Sequence, residues 1–117
     1  MVVYSPRVEA ELDRLFHALA DTTRRDIVAR VMAGEETSVS TLAGRYAMSF
    51  AAVQKHVAVL ETAGLVTKHR RGRERIVRAN PEQLARARGL LHQLEQLWRE
   101  RFSQLDAVLA EPSPRKR

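Results

Sequence analysis

Two clusters of side chains in this chain of 117 residues could do chemistry on a partner. The first is Gln54 and Lys55, an amide and an amine set among Ala51, Ala52, Ala58 and Thr62. A carboxamide can pair with the edge of adenine and an ammonium with that of guanine, and small neighbours permit the close approach such contacts need. The second is KHRRGRERIVR, Lys68 to Arg78, whose six Lys/Arg and one Glu carry +5 of the chain's formal +6. Like charges packed so densely repel one another and are relieved by a polyanion. Arg70, Arg71, Arg73 and Arg75 are therefore the candidates for contacts to phosphates or to a narrow minor groove. Ser49 is a candidate for a helix cap or a phosphate contact, and Phe50 for a thymine methyl if it is exposed, with a packed Phe50 as the competing reading. Arg45 is expected to touch a nucleic-acid backbone.

Other chemistries find no support in the residues. A Ser-His-Asp set, a glycine-rich phosphate loop and an HExxH string are all absent, so no catalytic residue is assigned and the chain does not read as an enzyme. It has no cysteine, which removes disulfides, thiolate metal ligands and thiol redox sensing together. No cofactor is implied. His56 lies beside a buried helical face and suits a structural hydrogen bond, while His17 and His69 have no evident partner. The isoelectric point of about 10.7 points to a polyanionic partner. No apolar run approaches the roughly 20 residues that span a bilayer, and MVVYSPRVEAEL lacks the apolar core of a secretory signal, so a cytoplasmic protein without membrane contact is expected.

The elements that must position these clusters follow from periodicity. Leu42, Ala43 and Tyr46 mark one short helix, and Val53, Val57 and Leu60 mark a second, after a break at Ala47-Met48-Ser49. With Val53 inward, Ala51, Lys55, Ala58 and Thr62 face outward, flanked by Ala52 and Gln54. Gly64 stops this helix; Leu65-Val66 and Ile76-Val77 form the apolar bases of a hairpin with Arg70-Arg71-Gly72-Arg73 at its tip. Upstream, residues 1–6 read as a loose arm, 7–20 as a first helix on Val8, Leu12, Leu15, Phe16 and Leu19, and 22–33 as a second. That second helix is capped by Asp21, buries Ile27, Val28, Val31 and Met32, and ends at Gly34. Arg24 and Arg25 suit surface ion pairs, with a phosphate contact as the competing reading, and residues 35–40 a polar loop. Downstream, Asn80-Pro81-Glu82-Gln83 opens a helix that continues to about Leu109. Leu84, Leu91, Trp98 and Leu105 recur every seven residues along it, with Leu94 between. The expected fold is mainly α with a small β-hairpin: a winged helix-turn-helix of about five helices with a long C-terminal dimerisation helix. The domain should span 7–110, followed by a disordered basic tail at 111–117. The long helix exposes more apolar face than so small a domain can cover. A homodimer through Leu12, Leu15, Phe16, Leu84, Leu91, Leu94, Trp98 and Leu105 is therefore expected.

The order of elements and several strings resemble the ArsR family of bacterial winged-helix repressors. The likeness covers Leu15 to Gln83. It is carried by Ala18-Leu19-Ala20-Asp21 with Thr23-Arg24-Arg25, by Val39-Ser40-Thr41-Leu42-Ala43, and by Val53 to Leu60 leading to Ala63-Gly64-Leu65-Val66. The resemblance implies a homodimer that binds double-stranded operator DNA and represses transcription, often until a small-molecule inducer releases it. The chain departs from the family in three places. Its turn has Ala47 where a glycine is frequent, which suggests a turn in which Ala47 is unstrained. The sensor cysteines are missing. Of one family metal site only His92-x-x-Glu95 remains, which leaves too few ligands, so the pair reads as a solvated i, i+3 contact. A nonspecific architectural DNA-binding protein and a winged domain used for protein contacts are the competing functions.

Overall fold

A computed structural model describes residues 5–110; the expected tail at 111–117 lies outside them. Five helices and three short strands follow in the order α1 (Pro6–Leu19), α2 (Thr22–Met32), β1 (Thr37–Ser38), α3 (Val39–Arg45), α4 (Phe50–Thr62), β2 (Val66–Arg71), β3 (Glu74–Ala79) and α5 (Pro81–Ala110). Each helix start has a sequence reason. Ser5, Asp21, Ser38 and Ser49 each accept a hydrogen bond from the backbone N–H three residues on, satisfying one of the donors a helix start leaves free. At α5, Asn80 Oδ1 accepts from the Gln83 N–H at 3.4 Å, and Pro81 takes the first helical position, where no N–H is needed.

Three sequence expectations are corrected at the N-terminal side. Pro6 is the first residue of α1 rather than the end of an arm, because Ser5 caps it. Met32 points outward at 63% exposure, since α2 buries only Ile27, Val28 and Val31. Residues 35–40 are not all loop: Thr37 and Ser38 pair with Val77 and Ile76, so the hairpin is part of a three-stranded antiparallel sheet in the order β1-β3-β2. Ser38 is at once a strand residue and the cap of α3, which fixes the sheet to the start of the helix-turn-helix.

The core gathers Ile27 from α2, Val39 and Leu42 from α3, and Val53, Val57 and Leu60 from α4 over Leu65, just before the sheet, and Val66 and Val77 within it. Each such aliphatic side chain contributes roughly 1.5–3 kcal/mol of burial. Leu12 and Leu15 of α1 are buried within the single chain, so both are already occupied before any second copy arrives. Gly64 combines a φ of 79° with close approach to α5, where an added Cβ would sit 2.7 Å from Gln83 Cγ. Only glycine meets both conditions. The α5 helix runs on for 30 residues, about 45 Å, and every residue from Trp98 to Ala110 is exposed.

Candidate nucleic-acid interface

The α4 helix sits with Val53, Val57 and Leu60 fully buried and Ala51, Lys55, Ala58 and Thr62 exposed. The helix therefore presents one small-residue face outward, as its periodicity predicts. Ser49 is spent as the cap, its Oγ accepting from Ala52 N–H at 3.1 Å. Phe50 beside it is 46% exposed and not packed into the core. Gln54 lies on the flank, half-buried, with Lys68 Nζ donating to its Oε1 at 3.5 Å. Lys68 also stands 3.7 Å from Glu61. This lysine thus clips two turns of α4 to the base of β2 and ties the outward helix face to the hairpin.

The hairpin turns at Gly72-Arg73 with Arg71 opposite Glu74. Gly72, at φ 63°, supplies the positive dihedral that a two-residue hairpin turn needs at its first central position. Arg70, Arg71, Arg73 and Arg75 are all exposed. Arg70 Nε curls back to Gly72 O at 3.2 Å. Glu36, just before β1, lies 3.4 Å from Arg71 and 2.9 Å from Arg78, and so anchors one edge of the wing. Arg45 is not a free cation at the end of α3: it meets Glu35 at 3.1 Å.

Behind α3 and α4 lies a polar layer that the sequence patterns did not reveal. Tyr46 Oη donates to Asp26 Oδ2 at 2.5 Å, and Arg30 Nε donates to the same oxygen at 2.8 Å. These two bonds, Tyr46 first, hold the Asp26 carboxyl below the usual carboxylate range. Partial burial, then the bond to Asp26, pushes the Tyr46 phenol up. Arg24 and Arg25 are not surface ion-pair formers. Their guanidinium groups donate to the carbonyls of His17, Ala18 and Leu19 at 2.7–3.0 Å, satisfying the end of α1. Arg24 Nη1 also donates to His56 Nδ1 at 3.1 Å. His56 therefore has the structural hydrogen bond expected of it, and this bond links α4 to α2.

The turn between α3 and α4 corrects another expectation. Ala47 has φ 54°, the left-handed region that costs a residue with a Cβ about 1–2 kcal/mol. Flanking bonds hold it there: Met48 N–H donates to Ala43 O at 3.0 Å and Ala47 N–H to Gly44 O at 3.3 Å. His92 and Glu95 form an exposed i, i+3 contact at 3.8 Å. Among the described residues, no three His, Asp or Glu side chains gather as a metal site.

A helix pair with an outward small-residue face, capped, clipped to a sheet and followed by an arginine-tipped hairpin, defines a winged helix-turn-helix. No family profile matches the chain. It is 40% identical over 86 residues to the HTH-type transcriptional regulator Rv2034 of Mycobacterium tuberculosis, covering 74% of this chain and 77% of that one. It is 31% identical to a crystal structure of an ArsR family transcriptional regulator, with TM-score 0.68 over 85% of this chain and 97% of that one. A solution structure of a homodimeric winged helix-turn-helix DNA-binding domain from Mycobacterium bovis, a possible ArsR-family regulator, matches at 26% identity and TM-score 0.61, covering 82% and 91%. The chain belongs to the ArsR family of transcriptional regulators.

No helix among the described residues is long and apolar enough to cross a membrane.

Proposed function

We propose that the protein is a homodimeric repressor that binds an inverted-repeat operator. In each copy α4 enters the major groove, and Gln54 and Lys55 face base edges there. Ala51 permits the approach, and Ser49 and Phe50 lie at the groove rim. Arg70, Arg71, Arg73 and Arg75 contact phosphates or the adjacent minor groove. The observation that carries this reading is the clip of Lys68 to Gln54 and Glu61, because it joins the reading face and the basic wing into one unit. Arg45, drawn to Glu35, is a lesser contributor. The M. bovis relative, a homodimer that binds DNA, supports the same assembly here, with Phe16 and the outer half of α5 on the surface that a second copy would cover.

Titrating a labelled duplex at increasing salt tests the electrostatic part of the proposal. If about six to ten phosphates are contacted, affinity falls by roughly 10³–10⁵ between about 50 and 200 mM salt. No binding to the duplex even at the lowest salt would remove DNA as the partner and favour a winged domain built for protein contacts.

A further inference from the structure

Gln54 and Glu61 lie two turns apart on α4, so both fall on one stripe of the helix. Lys68, from β2, lies over that stripe, its Nζ 3.5 Å from Gln54 Oε1 and 3.7 Å from Glu61 Oε1. The lysine side chain is only 18% exposed, so it serves α4 rather than solvent. Pairing of Lys68 with the fully buried Val77 of β3 fixes the strand from which it reaches.

An ammonium group has N–H donors and no acceptor. The carboxamide of Gln54 can therefore meet Lys68 only through its oxygen; turned the other way, its NH2 group would set donors against donors. A mostly covered ammonium that loses an acceptor is penalised for its unmet charge. The lysine thus decides which end of the amide is free: the oxygen is engaged on the protein side, and the two N–H groups remain for a partner. Adenine recognition uses both ends of a carboxamide at once, the oxygen accepting from N6 and the nitrogen donating to N7. With its oxygen engaged, Gln54 offers donors alone. These match guanine, which has acceptors at N7 and O6, or thymine, which has one at O4, whereas cytosine presents a donor at N4.

We infer that Lys68 is a specificity-determining positioning residue: it holds Gln54 as a hydrogen-bond donor, so that the operator base beneath Gln54 is guanine or thymine rather than adenine or cytosine. This rests on the DNA-binding reading proposed above and names the base edge that reading leaves open. Lys68 itself touches no base. Lys55, exposed beside Gln54, likewise carries donors only, so the two side chains together match neighbouring acceptor edges.

A base-substitution series on a duplex that the protein selects from host genomic DNA tests this. Each position is changed to the other three base pairs in both half-sites, and binding is measured for wild type, Gln54→Ala and Lys68→Met. The position at which Gln54→Ala levels the four affinities is the one that Gln54 reads. There the wild-type protein should bind guanine or thymine roughly fivefold or more above adenine and cytosine. Lys68→Met keeps the stem and removes the donors, which frees the amide to turn. Adenine should then gain roughly fivefold on guanine at that position, with preferences elsewhere unchanged. Wild-type preference for adenine or cytosine there would overturn the inference, as would the absence of any levelled position. So would a Lys68→Met profile identical to that of wild type, or a uniform loss at all four bases, which would give the lysine a purely structural role. Those outcomes leave sequence-specific binding intact, whereas equal binding of wild type to the selected and a scrambled duplex would remove the DNA-reading proposal itself. If Lys68→Met does not fold, the wild-type and Gln54→Ala profiles decide alone.

Discussion

Arg70 and Arg75 stand directly opposite one another across the β2–β3 hairpin, two exposed guanidinium groups in paired register. Like charges placed so destabilise a ladder, and nothing acidic in the hairpin lies between them, since Glu74 is paired with Arg71. The arrangement is costly to the free protein and is relieved when an anion lies across the pair. Arg75→Glu separates the two effects. It should leave thermal stability unchanged or slightly raised, while DNA affinity falls roughly tenfold or more and the salt slope decreases by about 1. Thermal melts and fluorescence titrations on the same preparation check both directions. A parallel loss of fold and binding would show that the wing acts only structurally.

Gln54→Ala should cost about 1–3 kcal/mol on the cognate site and little on unrelated duplexes, because a base contact is lost and no phosphate contact is. The readout is the ratio of the two affinities. Equal losses on both duplexes would place Gln54 in the support of Lys68 rather than in base reading.

Ala47→Gly should stabilise the protein by up to about 1 kcal/mol: release from the left-handed conformation outweighs the added freedom of the unfolded chain. Ala47→Val should destabilise it by more than about 1 kcal/mol, because a β-branched side chain tolerates positive φ least. Chemical denaturation of the three proteins checks the order.

The Asp26–Tyr46 bond predicts opposite behaviour at the two ends of the pH scale. The folded protein holds the Asp26 carboxyl low, so its contribution is present above the unfolded carboxyl value, about 3.9, and disappears as pH falls through the folded one. Asp26→Asn should therefore lose less stability on acidification than wild type. Tyr46 is held high; its contribution is present below the unfolded phenol value, about 10, and disappears as pH rises through the folded one. Tyr46→Phe should flatten the alkaline limb of a melting-temperature profile.

The parts of this structure legible in the sequence are those set by local pattern. Val53, Val57 and Leu60 announce their face by spacing, Ser49 and Asn80 their caps, and Gly64 and Gly72 their turns. What was hidden depends on distant partners. Thr37 and Ser38 look like loop because two polar residues carry no strand period; only Val77 and Ile76, far along the chain, make them a strand. Arg24 and Arg25 look like surface cations because nothing in their own turn shows that the carbonyls ending α1 lie within reach. Ala47 has a positive φ that only the surrounding helix geometry imposes. Leu12 and Leu15 share the dimer-like stripe of α1, yet periodicity cannot say whether the covering surface is the same chain or a second one; in the structure it is the same chain.

The proposed function requires sequence-specific recognition by a two-fold pair of α4 helices. Fragments of the host genome selected by the protein should share an inverted repeat with half-site centres about 10–10.5 base pairs, one helical turn, apart. At about 0.15 M salt their affinity should exceed that for scrambled duplexes by roughly 10³ or more. Equal affinity for selected and scrambled DNA would contradict it and leave a nonspecific, architectural DNA-binding protein.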